Sequence, residues 1–261
     1  MAMTDKIDIN CDMGESFGAY TLGMDADVMR YITSANIACG FHAGDPGVMN
    51  RTIQLARNHR VGVGAHPGFP DLLGFGRRNM DCTLDEIRDY VVYQVGAMEA
   101  FCRLHGVRLQ HVKPHGGLYN MAAGNLDILR VLTGAVAALD AEILLVAPAG
   151  GRAQAMARIG REEGVRLVFE AFPDRAYTRE GALVSRRLPE AVILDPQEVV
   201  ERALALVVEG RISLLEGGSL EMEAQTLCVH GDNPGAVEMA AAIRRGLESE
   251  GIGVASMAEW V

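Results

Sequence analysis

The sequence predicts an α/β fold, a single (β/α) barrel of seven strands spanning residues 1–261. Three observations lead there. Strand-like and helix-like segments alternate from start to finish, the pattern of a parallel α/β fold. Six short apolar segments each end in a polar cluster, and the clusters hold His42, His66, His111, His115 and His230. Strand ends that converge from all along a chain are how a barrel builds an active site. Of the 261 residues 49% are apolar, enough for one large core, and no Ser/Pro-rich linker, low-complexity tract or internal repeat divides them.

The first strand, 7–12, alternates strictly, with Ile7, Ile9 and Cys11 facing the helices and Asp8, Asn10 and Asp12 facing the barrel interior. The second, 35–40, leads to His42 and to Asp45-Pro46, an N-cap with Pro at the first helical position, which opens a helix to about Asn58. The third, 61–66, turns Gly62, Gly64 and His66 inward. A Gly-rich loop over 67–78 follows and carries Arg77 and Arg78. Thr83-Leu84-Asp85-Glu86 is a capping box, and its helix should stop at Gly106. The fourth strand, 109–114, points His111 and Lys113 inward, with His115 next on the same face. The fifth is 143–147, and Pro148-Ala149-Gly150-Gly151 leads from it into a helix. The sixth, 165–170, ends at Glu170 and runs into a loop through Arg175 to Tyr177. Asp195-Pro196 and Glu198 open a helix that should end near Gly210. Ile212 to Met222, around Glu216-Gly217-Gly218, reads as a hairpin. The seventh strand, 226–230, sets Thr226, Cys228 and His230 inward, and Asn233-Pro234 opens the last helix, to about Leu247. With small or polar residues on the inner faces, the interior should be a deep, charged, partly hollow pocket rather than stacked aliphatic layers.

The net charge of −10 and pI near 5.2 argue against a nucleic-acid or anionic-membrane surface, though a local site can still take an anionic substrate. No apolar run approaches the ~20 residues that span a bilayer, and nothing near Met1 reads as a signal peptide. The five cysteines are odd in number and lack Cys-x-x-Cys spacing, which points to reduced thiols in a cytoplasmic protein. Self-association stays open.

Three chemistries compete for the polar strand ends. Asp12, His42, His66 and His115 are the residue types that bind Zn, Mn or Fe, although no His-Glu-x-x-His spacing supports them. Metal-free acid–base catalysis would use a carboxylate or His to activate water and Lys113 to stabilise negative charge; a structural ion pair of Lys113 with Asp8 or Asp12 is the plain alternative. Some groups could be purely structural: Asp45 and Asp232 each precede a helix as N-caps would, and Asp45 is best read that way. Arg77 and Arg78 could clamp a carboxylate or phosphate, or lie in a solvated loop; Arg175 could pair with Asp174. Cys11, Cys39 and Cys228 read as small buried residues.

Several stretches together resemble the LamB/YcsF family, the A subunits of 5-oxoprolinase. They are Asn10-Cys11-Asp12-Met13-Gly14-Glu15, Ala38-Cys39-Gly40-Phe41-His42-Ala43-Gly44-Asp45, Gly64-Ala65-His66-Pro67 through Arg78, Lys113-Pro114-His115-Gly116-Gly117-Leu118-Tyr119, Glu170 to Tyr177, and Cys228-Val229-His230-Gly231-Asp232. The resemblance implies a barrel similar to the glycoside hydrolase/deacetylase superfamily, and opening of the 5-oxo-L-proline lactam to L-glutamate at the expense of ATP, in a complex with the B and C subunits of 5-oxoprolinase. The chain has no Gly-x-x-x-x-Gly-Lys-Ser/Thr and no Gly-x-Gly-x-x-Gly loop, so a partner is expected to perform the ATP step. Asp12 or His42 would then be the base, and Lys113 would stabilise the oxyanion or phosphate. His115 or His230 would protonate the departing nitrogen, with His66 among the catalytic groups. Arg77 or Arg78 would hold the carboxylate, and Asn10, Glu15, Asn36, Glu170 and Arg175 would contact substrate. The competing expectations are a stand-alone metal-dependent amide hydrolase or deacetylase and a non-catalytic, substrate-binding member of the complex.

Overall fold

The computed structural model describes residues 5–185, 188–229 and 235–261. In chain order the elements are β1 (Lys6–Met13), α1 (Asp25–Val28), β2 (Ser34–Ala38), α2 (Pro46–His59), β3 (Gly62–His66), α3 (Leu84–His105), β4 (Leu109–Val112), α4 (Gly116–Gly124), α5 (Leu126–Leu139), β5 (Leu144–Pro148), α6 (Ala153–Glu163), β6 (Leu167–Ala171), α7 (Pro196–Glu209), β7 (Arg211–Ser213), β8 (Ser219–Glu221), β9 (Thr226–Val229), α8 (Ala236–Ser249) and β10 (Gly253–Val254). Strands β1 to β6 and β9 pair in parallel in that order, and β1 pairs with β9, which closes a seven-stranded barrel. The expected hairpin is there as the antiparallel pair β7–β8.

The helix boundaries follow the local chemistry. Asp45 caps α2 by accepting from Val48 N at 2.9 Å. Thr83 and Glu86 form the reciprocal capping box of α3. Gly106 and Gly210 end α3 and α7 in the left-handed conformation, at φ 64° in both cases. The expected start of the last helix at Asn233-Pro234 lies outside the described residues, and α8 is described from Ala236. β2 stops at Ala38, two residues short of the expected span, because Gly40 turns the chain at φ 94°.

Parity sorts the strands as the alternation demands. Ile7, Ile9, Cys11 and Met13 are at most 1% exposed and join the core between barrel and helices. Each such aliphatic side chain contributes roughly 1.5–3 kcal/mol by leaving water. The interior differs from the expectation of a polar, partly hollow pocket. Its β5–β6 side is aliphatic: Leu144, Val146 and Val168 form a separate buried cluster with Met257. Met257 belongs to a 3-10 turn, Met257–Glu259, just after β10, which pairs with Lys6 and Ile7. The C-terminal segment thus plugs the barrel at the strand N-termini. The remaining interior is a hydrogen-bonded column. Asp8 accepts from Thr33 Oγ1 at 2.7 Å, from Ser34 Oγ at 2.6 Å and from Thr226 Oγ1. Burial pushes its carboxyl up to about 6 against those hydrogen bonds. Above it, Asn10 donates to Thr226 Oγ1 at 2.7 Å and to Glu170 at 3.2 Å.

Among the described residues, no single helix is long and apolar enough to cross a membrane. All five cysteines are free.

Candidate active site at the strand C-termini

Two polar centres meet at the mouth of the barrel, and Asp12 belongs to both. The first is built around Lys113, which follows β4 and is 3% exposed. Its Nζ lies 2.8 Å from Glu170 Oε2, 3.0 Å from Asp12 Oδ1, 3.1 Å from Asn10 Oδ1 and 3.1 Å from Cys228 Sγ. Burial opposes the charge on this amine, but the two carboxylates outweigh it and hold the lysine pKa well above its ordinary value. Burial likewise pushes the Cys228 thiol well up, against the pull of Lys113, so at neutral pH the cation rests on Asp12 and Glu170. The chain has 24 Lys and Arg residues, of which only Lys6 and Lys113 are lysine. A compact ammonium suits four partners arranged about one point, and a planar guanidinium does not.

Asn36 braces this centre. Its Nδ2 donates to Asn10 Oδ1 at 2.7 Å and to Asp12 Oδ1 at 2.8 Å. Its Oδ1 accepts from His111 Nε2 at 2.7 Å, which fixes the tautomer of that buried ring. Burial, with Lys113 nearby, lowers the His111 pKa to about 3. Gly64 makes this possible, since a Cβ there would overlap the His111 ring.

The second centre is Glu15, His42, His66 and His115, which each offer one ligand atom within 4.8 Å of the others. The His42 and His115 rings stack 3.7 Å apart and 2° from parallel, and His66 stands at 90° to both. His66 Nδ1 is 2.7 Å from Lys113 O and His115 Nε2 is 2.8 Å from Phe75 O. A carbonyl only accepts, so both nitrogens are donors, and the remaining lone pairs are on His66 Nε2 and His115 Nδ1, 2.9 Å apart. Among the described residues, neither nitrogen of the buried His42 finds a hydrogen-bond partner, although Nε2 is 3.6 Å from Glu15 Oε1. Burial and the neighbouring imidazoles lower the pKa of His42 well below 6.5, and burial chiefly lowers that of His115 to about 3. Three imidazoles and a carboxylate, with two ring nitrogens committed to backbone carbonyls, are the donor set and outer bonding that suit Zn, Mn or Fe. The second oxygen of Asp12 is 3.4 Å from His66 Nε2 and links the two centres.

Sharp turns bring these side chains together. Gly14, at φ 67°, turns the chain after β1 so that Glu15 faces the histidines. Gly76, at φ 61°, lays the 67–78 loop over the stack, where a Cβ would lie 2.6 Å from that of His42.

Asp12, His42, His66, Lys113, His115, Asn10, Glu15, Asn36 and Glu170 therefore converge. Arg77 is exposed at the rim, with its guanidinium 5.0 Å over the Phe75 ring that edges His42 and His115. Arg78 is not brought in: Asp71 holds it through two bonds, Nε–Oδ2 at 2.9 Å and a second to Oδ1. Arg175 is buried and donates to Ala191 O at 3.1 Å and Val184 O at 2.7 Å, which braces the loop after β6. His230 and Asp232 lie outside the described residues. Sequence reasoning set Cys228 inward but read it only as a small buried residue, without its contact to Lys113, and it passed over Tyr119, whose position in α4 carries no periodic signal.

The LamB/YcsF family model matches residues 7–261. This chain belongs to the LamB/YcsF family. It is 50% identical over 256 residues to the 5-oxoprolinase A subunit of Pyrococcus furiosus, covering 98% of this chain and 99% of the relative. It is 52% identical over 252 residues to the 5-oxoprolinase A subunit of Syntrophobacter fumaroxidans, covering 97% of this chain and 98% of that one. The crystal structure of the lactam utilization protein from Thermus thermophilus superimposes with a TM-score of 0.90 at 45% identity, covering 96% of this chain and 99% of the other. The barrel and its closure are thus those of a family whose relatives carry lactam chemistry in their names.

Proposed function

We propose that this chain is the ring-opening component of an ATP-dependent 5-oxoprolinase that converts 5-oxo-L-proline to L-glutamate, with the B and C subunits supplying the ATP step. The observation that carries the reading is the buried Lys113, held between Asp12 and Glu170 beside three histidines. A lactam is an amide stabilised by resonance, so water attacks it slowly unless its carbonyl oxygen is activated. A partner that phosphorylates that oxygen would leave this chain an electrophilic carbon to hydrate.

In this reading Asp12 is the water-activating base, placed between Lys113 and His66. Lys113 cannot act as a base while both carboxylates hold its proton; it stabilises the oxyanion or phosphate. His230 hands a proton to the departing nitrogen; His115, held neutral with its one N–H on the Phe75 carbonyl, has none to give. Arg77 at the rim takes the substrate carboxylate, because Arg78 is occupied by Asp71. A divalent cation held by Glu15, His42, His66 and His115 would supply Lewis-acid polarisation of a water. The whole chain, 1–261, acts as one barrel domain in the cytoplasm.

A second reading, a metal-dependent amide hydrolase that works without partners, is favoured by the same His-rich donor set. ATP-independent turnover by the isolated chain would establish it. The division of labour is tested with radiolabelled ATP. No crosslink to this chain and strong crosslinking to a partner is the expected result; tight crosslinking to this chain alone would overturn it.

A further inference from the structure

Gln110 and His111 are neighbours on β4, yet both reach into the barrel interior, which the alternation of a regular strand forbids. The pairing of β3 with β4 explains it. Val63 pairs with Leu109 and Gly64 with His111, so β4 carries one extra residue between the two pairs, and Gln110 is a β-bulge. Bulges are rare between parallel strands, and they re-aim a side chain. β3 clears the space: a Cβ at Gly62 would overlap the Gln110 amide, and one at Gly64 the His111 ring.

The re-aimed amide completes a series of hydrogen bonds with one direction. Ser34 gives its hydrogen to Asp8 at 2.6 Å, so it accepts from Gln110 Nε2, at 2.9 Å. Gln110 Oε1 accepts from Ser256. Gln110 Nε2 also lies 3.1 Å from His111 Nδ1 and donates to it, so that ring nitrogen is the bare one. The single proton of this neutral ring is then on Nε2, which donates to Asn36 Oδ1 at 2.7 Å. With its oxygen so engaged, Asn36 turns its amide hydrogens to Asn10 Oδ1 and Asp12 Oδ1. Those two oxygens are partners of Lys113 Nζ.

We propose that Gln110 is a positioning residue for the Lys113 centre: through the tautomer of His111 it sets the Asn36 amide, and with it the Asp12 carboxylate. Its part in turnover rests on the ring-opening reading above. An acceptor in place of the Gln110 amide nitrogen would draw the His111 proton to Nδ1. Nε2 would then be bare, and Asn36 would turn its amide nitrogen to it. The Asn36 oxygen would face the oxygens of Asp12 and Asn10, and the repulsion would displace the carboxylate from Lys113. Arg77, which takes the substrate carboxylate, would be untouched.

Gln110→Glu makes that exchange at nearly constant shape, and Gln110→Met removes the donor without adding a charge. Two signals are read by NMR on the full chain: the ring nitrogens of His111 with isotope-labelled histidine, and the ammonium of Lys113 with isotope-labelled lysine, a label that only Lys6 shares. The kcat and KM for glutamate formation are read on the complex with its partners. In wild type the His111 proton is expected on Nε2. In the variants it is expected to leave Nε2 wholly or in part, the Lys113 signal to move with it, and kcat to fall by about ten- to a hundredfold with KM unchanged, as for a catalytic group displaced by a fraction of an ångström. An Nε2 proton retained in both variants would overturn the role of Gln110. So would a lost Nε2 proton with an unmoved Lys113 signal and full kcat, which would make the bulge a purely structural device. A wild-type complex that forms no glutamate would overturn the ring-opening reading instead, and the two NMR signals would still decide whether Gln110 positions the centre.

Discussion

His66 Nε2 lies 2.9 Å from His115 Nδ1, and the second nitrogen of each ring donates to a backbone carbonyl. With both rings neutral, two lone pairs face each other, and only a cation or a shared proton between them removes the repulsion. His42 and Glu15 surround the same point with a further imidazole and a carboxylate.

The purified chain is therefore expected to hold about one equivalent of Zn, Mn or Fe. His115→Ala should lower the affinity on the order of a hundredfold or more, since changing even an outer partner of a ligand costs ten- to a hundredfold. Elemental analysis after dialysis, with competition against a chelator, measures both. A wild-type chain with no measurable affinity for any of the three metals would refute the metal centre.

Lys113→Ala removes one cation from between two carboxylates. Breaking such a buried pair costs about 3–5 kcal/mol, because the partner charges are left uncompensated. Lys113→Arg should recover little of this, for want of room and matching geometry. Chemical denaturation at pH 7 checks this, and full recovery of stability by Lys113→Arg would contradict it.

His111 and Asp8 pull stability in opposite directions with pH. The folded pKa of His111, about 3, lies below its ordinary 6.5. Its contribution is therefore full above pH 6.5 and is lost as the pH falls toward 3, by about 1.4 kcal/mol per unit. The folded pKa of Asp8, about 6, lies above its ordinary 3.8, so its contribution is present below 3.8 and is lost as the pH rises through 6. Where these windows overlap the two nearly cancel. The stability advantage of wild type over His111→Gln should then narrow steadily below pH 6.5 in urea titrations. A gap that stays constant from pH 7 to pH 4.5 would show that His111 titrates normally.

Gly64→Ala drives a methyl into the His111 ring. Overpacking of this kind typically costs about 1–3 kcal/mol. The double variant with His111→Ala should be less destabilised than the sum of the two, because the clash has one origin. Additive costs would mean that the glycine serves another purpose.

Much of this was legible in the chain. Strict alternation over 7–12 put Asp8, Asn10 and Asp12 inside the barrel, and the same parity put His111, Lys113 and Cys228 opposite them. What parity cannot encode is direction after a strand ends. Glu15 reaches the histidines only because Gly14 turns at φ 67°, and Arg78 leaves the site because Asp71, seven residues away, captures it. The aliphatic β5–β6 side of the interior was equally hidden. Leu144, Val146 and Val168 sit in strands apolar on both faces, where no alternation marks which side looks inward. Tyr119 needs the fold itself, since its partner Glu170 lies 51 residues along the chain on another strand.

The most direct test of the account is glutamate formation from 5-oxoproline and ATP by the complex assembled with its partners, comparing the wild-type chain with Lys113→Ala. Loss of one preorganised oxyanion donor lowers turnover by about a hundred- to a thousandfold. The account predicts a loss of at least that size with assembly retained and with no glutamate formed when this chain is omitted. Undiminished glutamate formation with Lys113→Ala, or without the chain, would contradict it.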